Sequence, residues 1–209
     1  KARQIHSFFR ERIKDIETLA RNPVVADALH SFPDGGDDQP RHGTANDLPR
    51  QFFSNYIERA GYSDLLLISQ ARRLVFAARR QRYLGQDLAS GELRNSQIAR
   101  VTNRAATLLE PSLSDFERDG STSEPAAFIA APVMQRGAIL GVVALQMSSR
   151  DISALAEDYT GLGNTGETVI GSLVGDTIVC VVPLRHDPEA AFRRHFDVGS
   201  SVAVPMNEA

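Results

Sequence analysis

Residues 125–147, PAAFIAAPVMQRGAILGVVALQM, decide how this chain folds. Two apolar runs, 126–133 and 139–147, stand on either side of the short turn sequence QRG at 135–137. Apolar runs of this length on both sides of a glycine-containing turn are typical of a β-hairpin. The sequence therefore predicts two antiparallel strands here.

A shorter hairpin and a helix precede these strands in the chain. Residues 65–69 and 74–78 form two short apolar runs separated by the polar residues 70–73, which predicts a first hairpin. Helical spacing of apolar residues then extends over 91–109, and Pro111 ends that helix. This order predicts an α+β fold with helices packed on an antiparallel sheet, rather than a parallel βαβ series.

The first 32 residues are predicted to be helical. Apolar residues recur there at steps of three and four, which predicts a long amphipathic helix. They are Ile5, Phe9, Ile13, Ile16 and Leu19. Asn22 and Pro23 form a typical cap and first-turn pair, so the helix is expected to restart or bend into residues 24–32.

A loop and a second helical segment follow. The segment 33–43, PDGGDDQPRHG, is rich in proline, glycine and aspartate, so we expect a mobile loop. A helix is predicted over 47–60 and is ended by Gly61. Its residues expected to face inward are Leu48, Phe52, Phe53 and Tyr56.

Composition and charge exclude several classes of protein. A formal charge of −3 and a pI near 6.0 do not provide the basic surface that nucleic-acid binding needs. Cys180 is the single cysteine, which excludes an intramolecular disulfide and a thiolate-rich metal site. The longest apolar run falls short of the roughly 20 residues of a membrane helix. Because helical spacing is already under way at Lys1, we expect membrane spans to flank this chain in its parent protein.

The C-terminal part is expected to begin a second, similar unit. A helix is predicted over 152–159, followed by a glycine-rich turn and strands over 167–173 and 177–182. Two strands and a polar tail do not complete a five-stranded sheet, so the second lobe is expected to be incomplete or smaller. The predicted division is a stalk helix and loop at 1–43, a first lobe at 44–150 and a partial second lobe at 151–209.

Several stretches, in this order along the chain, resemble double Cache sensor domains, whose two lobes are PAS-like antiparallel sheets. The stretches are RNPVVADAL (21–29), GYSDLLLIS (61–69), RLVFAA (73–78), LGQDLASGEL (84–93), SLSDF (112–116), residues 125–147 and GLGNTGETVIG (161–171). The segment VVPLRHDPEAAF (181–192) resembles a version common in sensor histidine kinases.

The resemblance implies a long N-terminal helix followed by tandem PAS-like lobes, one membrane-distal and one membrane-proximal. It also implies a periplasmic ligand-sensing domain of an inner-membrane receptor. A two-component sensor histidine kinase is the first expectation, with a chemoreceptor or a cyclic-dinucleotide synthase as alternatives. The chain itself is expected not to be an enzyme, and its N-terminal helix is a candidate homodimer contact. A periplasmic protein-interaction module without a small ligand is the alternative from another class.

Two local patterns suggest other chemistry, and their context argues against it. Residues 161–166 contain the spacing G-x-G-x-x-G, but a predicted helix precedes them and a strand follows, the reverse of a dinucleotide-binding turn. His186 stands between Arg185 and Asp187, yet no nucleophile accompanies it. The five histidines also lack metal-ligand spacing. No metal and no cofactor are therefore expected.

Candidate ligand contacts fall in the expected distal lobe, between Asp64 and Phe128. Small-molecule sites combine apolar walls with a few convergent polar groups. Asp115 can accept an ammonium group, with Phe116 as a wall or cation–π face. Asp64, at the start of the first strand, is a second carboxylate candidate, and Phe128 is a candidate wall.

A ligand carboxylate would need cations or hydroxyl groups instead. Arg79 and Tyr83 follow the second strand, while Arg94 and Ser96 stand at the start of the next helix. The alternative for these positions is structural: Asp115 caps a turn, and the arginines around position 80 form a solvated edge. The ligand is thus expected to be an amino acid, an organic acid or an amine.

Overall fold

The computed structural model describes residues 2–32, 47–79, 83–120 and 124–199. The chain divides into two compact units, the first from Lys1–Ser114 with Ala127–Met147 and the second from Asp115–Ala126 with Ser148–Ala209. The division expected from the sequence consists of consecutive segments, whereas each of these units combines two separate segments of the chain. Among the described residues, none of the helices combines the length and the hydropathy of a membrane span.

The described helices and strands follow one another in the α+β order that the sequence predicts. The helices are α1 (Ala2–Ala20), α2 (Pro23–Ser31), α3 (Asp47–Ala60), α4 (Gln97–Leu108) and α5 (Ser149–Glu157). The first strands are β1 (Asp64–Ser69), β2 (Leu74–Ala77), β3 (Ser112–Leu113), β4 (Glu117–Arg118) and β5 (Pro125–Ala126). The others are β6 (Phe128–Gln135), β7 (Ala138–Gln146), β8 (Gly171–Val174), β9 (Thr177–Cys180) and β10 (His195–Asp197).

The first unit is built on a five-stranded antiparallel sheet in the order β2-β1-β7-β6-β3. Both predicted hairpins are confirmed, because β1 pairs with β2 and β6 pairs with β7. The turn between β6 and β7 contains Arg136 and Gly137, both at positive φ (50° and 82°), as hairpin turns of this kind require. Strand β7 is therefore the centre of the sheet.

Helices cover both faces of this sheet. Position 141 of β7 faces α2, because a Cβ atom on Gly141 would lie 3.0 Å from Leu29 Cδ2. Phe76 of β2 lies on the same side, with its ring centroid 5.1 Å from that of Phe53 in α3. We call this side the N-terminal face. Helix α4 also packs on β6 and β7, and every residue of β1 is buried, so α4 covers the opposite side, the α4 face.

Local sequence signals set the ends of α2 and α3 as predicted. Asn22 Oδ1 accepts a hydrogen bond from the Val24 N–H at 3.0 Å, and Pro23 is the first residue of α2. Gly61, at φ 75°, follows the last residue of α3. The loop predicted over 33–43 lies outside the described residues.

Two helical predictions were wrong in detail. The helix predicted over 91–109 is split: Glu92–Asn95 form a short 3₁₀ helix, and α4 begins at Gln97 because the extended Ser96 caps it. In α3, Leu48 is 73% exposed rather than inward, since the helix turns Phe53 and Ile57 into the core.

The second unit contains α5, the short β4–β5 pair and a three-stranded antiparallel sheet in the order β10-β9-β8. The predicted hairpin is present, but its first strand begins at Gly171 rather than at position 167. Strand β10 was not predicted. Cys180 is fully buried in the core of this unit with Leu184 and Ala190, and burial raises the pKa of its thiol.

Candidate functional site

Three buried side chains stand in a row across three neighbouring strands of the first unit. Asp64 of β1 lies opposite Gln146 of β7, and Gln146 lies opposite Phe128 of β6. Alternation of side chains from Gly141 places all three on the α4 face. Residues directly opposite in such a ladder have Cβ atoms about 5 Å apart. We call Asp64, Gln146 and Phe128 the Asp64 row; their exposed fractions are 0%, 4% and 4%.

Asp64 is held at the point where β1 begins and β2 has ended. Its Oδ1 atom accepts hydrogen bonds from the Leu65 N–H at 2.8 Å and from the Arg79 N–H at 3.0 Å. Backbone N–H groups that donate to a carboxylate stabilise its negative charge. A buried carboxylate placed in this way can bind a cationic group of a ligand.

The structure places three of the predicted site residues at or next to this row. Asp64 and Phe128 belong to it, and Arg79 contributes its backbone N–H while its side chain is exposed. Tyr83 is half-buried in the loop that returns to β2, where its carbonyl accepts the Gln86 N–H at 3.2 Å. The first strand thus supplies the carboxylate of this site.

The remaining predicted residues have other positions. Arg94 is exposed in the 3₁₀ helix, and the Ser96 hydroxyl accepts the Ala99 N–H as the cap of α4. Asp115 is exposed, its Oδ1 atom accepts the Phe116 N–H at 2.8 Å, and both residues belong to the second unit. Asp115 and Phe116 therefore lie outside the unit that contains the Asp64 row, whereas Arg94 and Ser96 lie in the same unit, in the segment that leads into α4.

Gln146 is a candidate that the sequence interpretation missed. It stands near the end of the apolar run 139–147, which the sequence predicts as a strand of the second hairpin without singling out this amide. A signal for it exists, since period-two alternation in β7 places Val142, Ala144 and Gln146 on one face. An amide among inward apolar positions violates the pattern of a buried strand, and such violations mark functional candidates.

A second polar cluster joins α1 to the residues just before β1. The Tyr62 hydroxyl donates to Asp15 Oδ2 at 2.7 Å, and the Arg12 guanidinium lies 5.0 Å from the centroid of the Tyr62 ring. Arg12 also donates to the Ala60 carbonyl at 3.3 Å. Burial, and then the hydrogen bond to Asp15, raise the pKa of Tyr62 far above its ordinary value of 10.0. The cluster ties α1 to the chain two residues before Asp64.

This pKa shift predicts a loss of stability at high pH. In the unfolded chain Tyr62 ionises near pH 10, whereas in the folded chain it stays protonated, so folding stability falls as the pH rises above 10. Tyr56, with a pKa raised to about 12, contributes in the same direction. We expect the free energy of unfolding, measured in urea, to fall less between pH 8 and pH 11 for Tyr62→Phe than for the unsubstituted chain. Equal losses in the two proteins would contradict this account of the cluster.

The glycine-rich turn of the second unit has a structural role. It follows α5 and precedes β8, the order predicted from the sequence. Arg185 donates through one terminal nitrogen to the carbonyls of Gly163 at 2.9 Å and Gly166 at 3.1 Å, and its guanidinium lies 4.4 Å from the Tyr159 ring centroid. The turn thus presents carbonyl acceptors to an arginine, while His186 beside it is exposed.

Comparison with known proteins identifies the fold. No family model and no curated protein matches the sequence. The sensor domain of the histidine kinase DctB of V. cholerae superposes with a TM-score of 0.65 at 14% identity, over 99% of this chain and 69% of that domain.

Two chemoreceptor domains are also similar. The ligand-binding domain of the Pseudomonas aeruginosa amino acid chemoreceptor PctC, in complex with GABA, gives a TM-score of 0.53 at 16% identity, over 92% of this chain and 74% of that one. That of the Pseudomonas fluorescens chemoreceptor CtaA, in complex with L-serine, gives 0.52 at 13% identity, over 90% and 69%. At these identities the likeness establishes the fold. The predicted Cache-type fold, an N-terminal helix with antiparallel sheet lobes, is confirmed.

Proposed function

We propose that this chain is the extracytoplasmic ligand-sensing domain of a transmembrane signalling receptor, and that its first unit binds a small molecule at the Asp64 row. The observation that carries the proposal is a fully buried carboxylate, Asp64, aligned with an amide and an aromatic ring in a Cache-type fold. Small-molecule sites combine apolar walls with a few polar groups, and the Asp64 row supplies both. No catalytic step is assigned to this chain.

For the parent protein we propose a two-component sensor histidine kinase anchored in the inner membrane, with this domain in the periplasm. The supporting observation is the likeness to the DctB sensor domain over 99% of this chain and 69% of that domain, with a higher TM-score than the two chemoreceptor domains have. A chemoreceptor is the second candidate, because those two domains also cover at least 90% of this chain. The genomic sequence on both sides of the chain distinguishes the two, through a kinase or a methyl-accepting helical domain.

The chemistry of the Asp64 row favours a ligand with an ammonium group, which belongs to the amino acid and amine classes. A carboxylate pairs with an ammonium group through charge-assisted hydrogen bonds, and the Phe128 ring, two strands away on the far side of Gln146, can pack on the carbon chain of the ligand. The Gln146 amide can both donate and accept, so it fits a polar ligand group of either kind. The GABA and L-serine of the two chemoreceptor complexes both carry an amine and a carboxylate, so they are suitable first probes.

Binding at this position is proposed to change the conformation of the first unit. Asp64 has no exposed surface, so a ligand that reaches it must displace the side chains that cover it. Because the ligand then binds one arrangement better than the other, it shifts the population between them. Differential affinity of this kind is what a sensor needs, whereas equal affinity for both arrangements would transmit nothing.

We also propose that a second copy of the chain contacts α1 in the membrane-bound receptor. Ile13 of α1 is 37% exposed, and Ile5 and Phe9, at steps of four before it, are only partly buried. Tethering in a membrane raises the effective concentration of such a contact.

A thermal-shift screen of the purified chain tests the proposed function. Amino acids, amines, organic acids and purines are added singly, and at a concentration of a hundred times its Kd a ligand is expected to stabilise the chain by roughly 2.7 kcal/mol. For a domain of this size that corresponds to a rise in Tm of about 5–10 °C. If no compound of a broad metabolite library raises the Tm, small-molecule sensing is wrong and the protein-interaction alternative takes its place.

A further inference from the structure

The chain passes between the two units three times, and two of the three crossings lie beside members of the Asp64 row in sequence. They fall between residues 114 and 115, 126 and 127, and 147 and 148. Phe128 of the row comes just after the second crossing, and Gln146 comes just before the third. The buried row is therefore next in sequence to two of the points at which the chain leaves its own unit.

Hydrogen bonds tie the crossing strands to one another inside the first unit. The Ser114 N–H donates to the Phe128 carbonyl at 2.8 Å, and the Ser114 Oγ accepts the Phe128 N–H at 2.8 Å. The Met147 N–H donates to the Ala127 carbonyl at 2.9 Å. A displacement of Phe128 must therefore move the chain at the first and second crossings together, or break these bonds.

The chain between the first two crossings is packed into the second unit. We call its described residues, 115–120 and 124–126, the crossing arm. Strands β4 and β5 of the arm pair with each other, and the Asp119 N–H donates to the Glu124 carbonyl at 2.8 Å. The Arg118 guanidinium lies 5.1 Å from the centroid of the Phe192 ring, and α5 packs on β5. The arm is thus continuous with the first unit in sequence and part of the second unit in its contacts.

We propose that the crossing arm couples the two units energetically, so that a change at Phe128 alters the packing of the arm around Arg118 and Phe192. The inference rests on the proposed function only in naming a ligand as the source of that change. The coupling itself belongs to the fold and is present in the ligand-free chain. Coupling of this kind requires that a perturbation in one unit change how often the other unit unfolds locally. Amide hydrogen exchange measures this local unfolding.

The experiment compares amide hydrogen exchange in the unsubstituted chain, Arg118→Ala, Arg118→Lys and Arg193→Ala, all without ligand. Loss of the cation over Phe192 is expected to speed exchange in the second unit by about threefold. The coupling predicts that the amides of Phe128 and Met147, in the first unit, also exchange faster in Arg118→Ala. Arg118→Lys, which keeps a cation over the ring, is expected to restore slow exchange.

Arg193→Ala is the matched control, because Arg193 is an exposed arginine of the second unit whose partner is the exposed Glu189. It is expected to leave the amides of Phe128 and Met147 unchanged. An effect of Arg118→Ala confined to the second unit would overturn the proposal.

If Arg118→Ala does not fold, Ser114→Ala tests the coupling from the other side. It removes the acceptor of the Phe128 N–H and is expected to speed exchange of the Asp119 amide in the second unit. An unchanged Asp119 amide would equally overturn the proposal. Because no ligand is used, this result is independent of whether the screen finds one.

Discussion

Replacing Asp64 with asparagine is expected to weaken binding of an amine-bearing ligand by about 30-fold or more. Removing one partner of a buried, hydrogen-bonded charge pair costs on the order of 2–5 kcal/mol, and each 1.4 kcal/mol is a factor of about ten. Asparagine keeps an Oδ1 acceptor for the Leu65 and Arg79 N–H groups, so the fold is expected to persist. Isothermal titration calorimetry with GABA, L-serine and the strongest compound of the screen measures the change.

The matched control for this substitution is Asp87→Asn. Asp87 also accepts a backbone N–H, that of Ala89 at 2.7 Å, but it lies in a loop outside the Asp64 row. Its replacement is expected to leave affinity within about twofold, since it removes no group proposed to touch the ligand. An organic acid as ligand would reverse the effect, because loss of the Asp64 charge would then strengthen binding. Unchanged affinity in Asp64→Asn would exclude Asp64 from the site.

Replacing Gly141 with valine is expected to lower the free energy of unfolding by about 3 kcal/mol or more, or to prevent folding. A Cβ atom at this position would collide with the carbonyl oxygen of Ile68 in the neighbouring strand and would lie 3.0 and 3.3 Å from the two terminal carbons of Leu29. The leucine can turn away, but the oxygen belongs to the sheet backbone and cannot. Chemical unfolding in urea, followed by circular dichroism, measures the loss.

Gly120→Val is the control for the valine substitution. Among the described residues beyond its chain neighbours, no atom lies within 4 Å of a Cβ built on Gly120, so this variant is expected to have nearly the same free energy of unfolding as the unsubstituted chain. A Gly141→Val protein as stable as the Gly120→Val protein would show that β7 does not approach α2 and β1 as described.

The hairpins were predictable because their signal is local. Residues 125–147 carry both the apolar runs and the turn, and the strands β6 and β7 lie there with the turn at Arg136 and Gly137. The start of α2 was predictable for the same reason, since Asn22 and Pro23 act on the backbone next to them. What depends on neighbours in sequence could be inferred from sequence.

Features that depend on packing were harder to predict. The spacing around Leu48 fits an amphipathic helix, yet only the sheet decides that Phe53 and Ile57 are the residues of α3 that face it. Ser96, a candidate ligand contact in the sequence, caps α4 in the structure, and a serine before a helix can serve either purpose.

The candidate site could be predicted only in part, for a related reason. Asp64 and Phe128 were named from the sequence, but Gln146 joins them only through the register of β7 with both neighbours. Asp115 and Phe116 follow β3 after a single residue, Ser114, and only the contacts of the folded chain assign them to the second unit. Register and unit membership are long-range properties that no local pattern encodes.

The central claim is that a small molecule binds in the first unit at the Asp64 row. Amide hydrogen exchange of the chain with and without the strongest compound of the screen tests it most directly. The account predicts slower exchange of the amides of Leu65, Arg79 and Phe128 in the presence of that compound. Protection confined to the second unit, or equal protection in Asp64→Asn, would contradict it.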